Sequence, residues 1–204
     1  QPYVTGAPAV APGAISVASA IPGNRLSSNL DINSPADIAG SNVAVEGAGP
    51  VLLADTGQVT GNLAAGEPLN GCSPLTNGSA IAGNIALIIR GACAFNTKYL
   101  NAQAAGATAI LVYNDGADAS RIDPITMGGL TGPITIPGAM TSFTVGDLLN
   151  SRLAAGEAAN VSLNLIPNDA QADTMSGFSS RGPGHGGSIF KPDLTGPGSS
   201  IAST

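Results

Sequence analysis

Two five-residue apolar runs dominate the middle of the chain, Ile85 to Ile89 and Ala109 to Tyr113. Neither alternates with polar residues, so each reads as a strand buried on both faces, as in a parallel sheet covered by helices. Between them Phe95, Tyr99, Ala102 and Ala105 recur at three- and four-residue intervals, and Gly106 follows as a stop. That spacing predicts a helix with a small-residue face able to approach a sheet closely. Strand, helix and strand with short connections make a βαβ crossover, right-handed by rule. The turn residues Asn114-Asp115-Gly116 close the second strand.

The remaining pattern is shorter in range. Ile134 to Met140 reads as a strand that Pro137 confines to an edge or a bend. A second helix follows, with Thr144 as N-cap, Asp147 three residues on, and Val145, Leu148, Leu149 and Leu153 along one face before Gly156. Val161-Ser162-Leu163-Asn164-Leu165 alternates as a half-exposed strand does. Leu30 to Ile32, Val43 to Val45 and Val51 to Ala54 are further short strands, and Asp55-Thr56-Gly57 reads as a hairpin turn. Strands outnumber helices. The expected class is α+β, a small twisted sheet or open barrel with two main helices.

Composition narrows the partners. The chain has 204 residues, 43% of them apolar, which is enough for a core, and only 10% charged. No apolar run approaches the roughly 18 residues needed to span a bilayer, so no membrane partner is expected. Seven basic and 13 acidic residues give a net charge of −6, and the basic ones are scattered. Nucleic acid, which demands clustered Lys and Arg to displace counterions, is not expected either. The chain opens Gln1-Pro2, without an initiator Met or a signal segment, and reads as a piece of a longer polypeptide.

Candidate chemistry is sparse. The single histidine, His185, sits among glycines, and Cys72 and Cys93 are the only cysteines. A structural zinc site takes about four such ligands, so no metal of that kind is expected. A nucleophilic serine needs a base and a group orienting it, and no such triad assembles from these residues. Gly182-x-Gly184-x-x-Gly187 matches a dinucleotide fingerprint in letters only, because Pro183 and Pro192 bracket a loop there. Asp115, Asp118 and Asp123 form an acidic loop that is either a calcium site or a solvated turn, without EF-hand spacing. The two cysteines leave a bridge and a pair of free thiols both open. A bridge would close about twenty residues and stabilise the fold by roughly 3 kcal/mol in the chain-entropy account.

Longer motifs add a resemblance. Gly83-Asn84-Ile85-Ala86-Leu87-Ile88-Ile89-Arg90-Gly91-Ala92-Cys93-Ala94-Phe95, with Lys98, Ala102, Ala105-Gly106-Ala107 and Val112-Tyr113-Asn114-Asp115, resembles a protease-associated (PA) domain. Ile136-Pro137, Gly146 and Leu149 match the later part of that pattern, and Cys72 in Gly71-Cys72-Ser73-Pro74 stands where such domains often place the partner of the second cysteine. The resemblance implies a swivelling β/β/α fold and a Cys72–Cys93 disulfide.

The two ends are similar to another family. Thr174 to Pro183, Lys191-Pro192-Asp193-Leu194-Thr195-Gly196-Pro197-Gly198 and Ile201 to Thr204 resemble the stretch that subtilisin-like serine proteases carry before the nucleophile loop, with Gly196 replacing the usual Ala. Gly6 to Val17 is similar to the segment following that family's oxyanion asparagine. The resemblance implies a subtilase core segment over 1–20, a PA insert over 21–173 with its core at about 40–167, and a second core segment over 174–204. Gly6, Ala7 and Pro8 would line the pocket for the substrate side chain preceding the cut. The catalytic Asp, His and Ser would lie outside these residues, leaving a non-catalytic fragment of a secreted endopeptidase, inactive alone.

The implied partners are protein or peptide substrates and the rest of the protease core, with self-association through unpaired terminal strands. The insert would gate substrate access or mediate protein interaction; an independent peptide- or protein-binding module is the alternative. Asn77-Gly78-Ser79 and Asn160-Val161-Ser162 are glycosylation sequons, meaningful in a eukaryotic source.

Overall fold

The structure, a computed structural model, describes residues 9, 11, 13–20, 26–167, 174, 175, 179 and 191–198. In chain order its elements are β1 (Val17–Ala20), β2 (Leu26–Ser34), β3 (Gly40–Glu46), α1 (Leu53–Thr56), β4 (Val59–Ala65), α2 (Gly78–Ile81), β5 (Ile85–Ile89), α3 (Phe95–Ala104), β6 (Ala109–Tyr113), β7 (Gly138–Thr141), α4 (Phe143–Ala154), β8 (Asn160–Pro167) and β9 (Leu194–Pro197). Residues 27–166 form one unit, and 1–26 with 167–204 form another.

In the larger unit the two apolar runs are adjacent parallel strands, β5 and β6, paired from Ile85 with Ala109 to Ile89 with Tyr113. Their side chains alternate between two apolar clusters. Ile85, Leu87, Ala109, Leu111 and Tyr113 join residues of all the other barrel strands, among them Leu30, Ala44, Leu63, Ala139 and Val161. Ala86, Ile88, Ile110 and Val112 pack on the other face beneath Tyr99 and Ala102 of α3. Burying a Leu or Ile completely contributes about 1.5–3 kcal/mol, so this doubly covered pair anchors the fold. Helix α4 lies on the first cluster, where Gly146 meets Tyr113: a Cβ added there would stand 2.0 Å from the tyrosine Cβ.

The expected small twisted sheet or open barrel is in fact a closed barrel. Seven strands run β2-β3-β7-β6-β5-β4-β8 and back to β2. Strands β4, β5, β6 and β7 are mutually parallel, whereas β2 with β3, β3 with β7, and β4 with β8 are antiparallel. Closure brings β8 beside β2, where Asn33 Nδ2 donates to Asn160 Oδ1 and to Ser162 Oγ, both at 2.9 Å.

Four local expectations are corrected. Val51 to Ala54 is not a strand, because Leu53 begins α1 and its N–H donates to the Glu46 carboxylate. Asp55-Thr56-Gly57 is therefore the end of that turn of helix, with Gly57 at φ 73°, and not a hairpin. The cap of α4 is Ser142, whose Oγ accepts the Val145 N–H at 3.3 Å, which places Thr144 inside the first turn. Of the stretch 134–140 only the part beyond Pro137 enters a strand, as proline lacks the N–H a ladder needs. Ile134 and Ile136 are nonetheless buried, packed with the α3 side of the sheet.

In the smaller unit β1 pairs with β9 in parallel, from Val17 with Leu194 to Ala20 with Pro197. Asp193 Oδ2 accepts the Ser16 N–H at 2.7 Å, and Lys191 Nζ donates to the Ala14 carbonyl at 2.7 Å. Ile15, Val17 and Leu194 remain largely exposed there.

Candidate functional site

Four parallel strands share one orientation, so the loops leaving β4, β5, β6 and β7 gather at a single edge of the barrel. That edge, outside the carboxyl ends of parallel strands, is where α/β sheets place their ligands. The loops concerned are Gly66 to Asn70 after β4, Arg90 to Ala94 after β5, and Asn114 to Ile125 after β6.

Covalent and polar ties hold this cluster. Cys72 and Cys93 form a disulfide that joins the segment after β4 to the loop after β5. Among the described residues no free cysteine remains, so the free-thiol alternative falls. Lys98, on the first turn of α3, is completely buried. Its Nζ donates to the carbonyls of Asn70 and Gly91, the latter at 2.8 Å, and lies 3.6 Å from Cys72 Sγ. Burial pushes the Lys98 ammonium down to about 8. Arg90 Nη1 donates to Asn114 Oδ1 at 3.0 Å, and the buried Asn114 amide in turn donates to the Asp123 carbonyl at 2.6 Å.

The tip of the β5 loop is held in a sparsely populated conformation. Ala92 has φ 64°, the one non-glycine at positive φ among the described residues, and Cys93 N–H closes a three-residue turn on the Gly91 carbonyl at 2.8 Å. A non-glycine there costs of order 1 kcal/mol and persists where the surroundings over-determine it, a condition common at ligand-binding loops. Ala92 and Ala94 are exposed on either side of the half-buried Cys93. The result is a stiff ridge of small residues at the surface.

Two open grooves adjoin the loops. One, of about 480 Å³, runs between Glu67, Pro68 and Leu69 of the β4 loop and Asn150, Leu153 and Ala154 of α4. The other, of about 460 Å³, lies between Val43 and Val45 on β3 and Asp123, Pro124, Ser142 and Val145. Both linings are mainly apolar with a few polar groups, a composition suited to extended peptide side chains.

The acidic loop is occupied internally. Asp115 forms an ion pair with Arg121, which holds its carboxyl below the usual range. Asp118 Oδ1 accepts the N–H and hydroxyl of Ser120, at 2.8 and 2.6 Å. Among the described residues no three His, Cys, Asp or Glu side chains gather into a metal-binding group, and Asp123 contributes its backbone carbonyl to Asn114. The three aspartates thus read as a self-bonded turn. Gly6, Ala7 and Pro8, and also His185, lie outside the described residues. The sequon side chains are both engaged: Asn77 Nδ2 donates to the Ala65 carbonyl at 2.8 Å, and Asn160 Nδ2 to Asn62 Oδ1 at 3.0 Å. The role of Lys98 escapes composition and spacing, because a lone lysine on a helix ordinarily faces water.

Comparison with known proteins agrees with this architecture. Residues 59–149 match the PA domain family. The chain is 38% identical over 111 residues to the receptor homology region, transmembrane domain- and RING domain-containing protein 6 of Arabidopsis thaliana, covering 52% of this chain and 33% of that protein. It is 34% identical over 127 residues to the minor extracellular protease Vpr of Bacillus subtilis, covering 62% of this chain and 15% of the protease. Among solved structures, the peptidase M28 precursor of Shewanella amazonensis is similar in fold, with a TM-score of 0.52 at 19% identity over 71% of this chain and 35% of that one. The chain thus spans about a third of the plant relative and less of the bacterial protease.

Proposed function

We propose that this chain, which carries a PA domain over residues 59–149, is a non-catalytic binding module of a secreted subtilisin-like serine endopeptidase and holds extended protein segments at its loop cluster. The observation that carries this reading is the Arg90–Ala94 loop, braced by the Cys72–Cys93 bridge and by buried Lys98 while presenting exposed small residues, with two mainly apolar grooves lined in part by the neighbouring β4 and β6 loops. A rigid scaffold with a pre-formed, partly apolar surface favours capture of unfolded polypeptide, because little ordering remains to oppose binding. The relatives include an extracellular protease, which supports a protease context. Within such an enzyme the insert gates access by sterics, without chemistry of its own.

The smaller unit supports the same parent. Its parallel pair β1 and β9 leaves Ile15, Val17 and Leu194 largely exposed, 57% or more each. Parallel strands are ordinarily covered on both faces, so these side chains suit packing against a further protease core, with residues 1–20 and 174–204 as its segments and Gly6, Ala7 and Pro8 in the substrate pocket. A self-standing binding module is the second reading, supported by the plant relative with its RING domain. A Gly-Thr-Ser-Met-like run in the gene soon after Thr204 favours the protease, and its absence the self-standing module.

Incubation with fluorescein-labelled unfolded casein and a fluorophosphonate probe tests the proposal. Casein binding without hydrolysis and without labelling is expected. Labelling or hydrolysis overturns the non-catalytic reading, and absence of casein binding up to millimolar concentration overturns the binding reading.

A further inference from the structure

The disulfide and the buried lysine are chemically asymmetric. Lys98 Nζ lies 3.6 Å from Cys72 Sγ and donates to the carbonyls of Asn70 and Gly91 on the two sides of the bridge. Among the described residues its partners are carbonyls and sulfur, and no carboxylate pairs with it. Of the other charged groups of the loop cluster, Arg90 donates to Asn114, Asp115 pairs with Arg121, Asp118 accepts from Ser120, and Glu67 and Asp123 are exposed. Cys93 precedes Ala94, the cap of α3, and so lies beside the partial positive charge of a helix N-terminus, with the Asp115–Arg121 pair on the far side of Gly91. A full positive charge shielded from water stabilises an anion more than such a partial charge does.

We infer that the Cys72–Cys93 bridge is a directional thiol-exchange site: an external thiol attaches at Cys93, and Cys72 departs as a thiolate paired with Lys98. Cys72 and Cys93 are both half-buried, Cys72 before exposed Ser73 and Cys93 between exposed Ala92 and Ala94, so an attacking sulfur has an approach to either and the lysine decides between them. In the first step the thiolate of a small or protein dithiol attacks Cys93 Sγ. A new sulfur–sulfur bond forms there, the Cys72–Cys93 bond breaks, and its electron pair leaves on Cys72 Sγ beside the Lys98 ammonium. In the second step the other thiol of the reductant, having lost its proton to water, attacks its own sulfur in the mixed disulfide. The reductant leaves as an internal disulfide, oxidised by two electrons, and Cys93 departs as a thiolate that takes up a proton. A leaving group of lower pKa departs faster, so the lysine directs which sulfur is attacked. Lys98 acts as a positioning residue, and the chemistry does not depend on what binds at the loops.

The test uses reduced glutathione as the attacking thiol on the full oxidised chain, with an acid quench, capping of free thiols by N-ethylmaleimide and peptide mapping. The expected result is glutathione on Cys93 and the cap on Cys72, in about tenfold excess over the reverse. Lys98→Met brings the ratio near one and slows the first step about tenfold, whereas Lys98→Arg retains most of the bias. Because burial brings Lys98 down to about 8, the unsubstituted chain offers a second readout that needs no variant. Its excess at Cys93 falls between pH 7 and pH 9.5, over the range in which the ammonium loses its proton. Predominant attachment at Cys72, or a ratio unmoved both by pH and by Lys98→Met in a chain with native circular dichroism, overturns the inference.

Discussion

The two halves of the barrel use polar groups in opposite ways. On the antiparallel side, side chains of β2, β3, β4 and β8 bond mainly to one another. Asp31 accepts from Ser41, from Asn29 at 2.7 Å and from Asn164 at 2.7 Å, while Thr60 and Ser162 hydroxyls meet at 2.8 Å. Those bonds, the Ser41 contact first, hold the Asp31 carboxyl below its usual range. On the parallel side, β5 and β6 are apolar and covered on both faces, and Arg90, Asn114 and Asp115 stand in the loops at their carboxyl ends. A network bonded mainly within itself, with Asn164 Oδ1 alone of its buried side-chain atoms left over among the described residues, has little to offer a ligand, whereas stiff loops at the end of a buried sheet keep their outer surface free.

Substitutions on the two sides sharpen this contrast. The largest effect is expected from Cys72→Ala with Cys93→Ala, which reopens a loop of 21 residues and costs about 3 kcal/mol in denaturant titration. Unfolding midpoints equal to those of the unsubstituted chain would show that the loop cluster needs no staple. Next comes Gly146→Ala. The added methyl meets the Tyr113 Cβ and ring, at 2.0 to 2.6 Å, and α4 must shift at a cost of about 2 kcal/mol. A crystal structure of that variant with α4 unmoved and stability unchanged would contradict the packing described.

Asn33→Ala, on the self-bonded side, removes hydrogen bonds to Asn160 and Ser162 and is expected to cost only about 0.5–1 kcal/mol. Casein affinity should stay unaltered. A severalfold loss of affinity would move the binding surface to the wrong half. A last effect is a dependence on pH. Burial pushes Lys98 down to about 8 in the folded chain, below its ordinary value of 10.5, so the unfolded chain binds more protons in between and stability rises with pH over that interval. Burial also raises Tyr113, to about 12, and because its folded form keeps a proton that the unfolded chain loses, it opposes this trend above about pH 10. The clean window is therefore pH 8 to 10, and Lys98→Met should flatten the rise there in urea titrations.

The parallel half was largely legible in the sequence. The runs at 85–89 and 109–113 and the spacing of Phe95, Tyr99 and Ala102 carry β5, β6 and α3 on their own, because burial on two faces leaves no polar residue to interrupt them. Closure of the barrel was not legible, since it depends on Asn33 meeting Asn160 and Ser162 more than a hundred residues later. Val51 to Ala54 misled for a local reason: the carboxylate of Glu46 takes the Leu53 N–H and starts a helix, which a four-residue apolar pattern does not reveal. The loop cluster was visible only as a family motif around Arg90 to Phe95. Its mechanical basis, a lysine bonded to carbonyls 28 and 7 residues away, needed the coordinates. The acidic residues Asp115 and Asp118 looked like ligands in the sequence because spacing alone does not show that Arg121 and Ser120 already hold them.

The most direct measurement is amide NMR of the chain, titrated with an unfolded casein peptide. The account predicts shift changes concentrated in Gly66 to Asn70, Arg90 to Ala94 and Asn114 to Ile125, with β2 and β8 silent. Changes centred on Asn29, Asp31, Asn33 and Asn164, with the loops unperturbed, would contradict it.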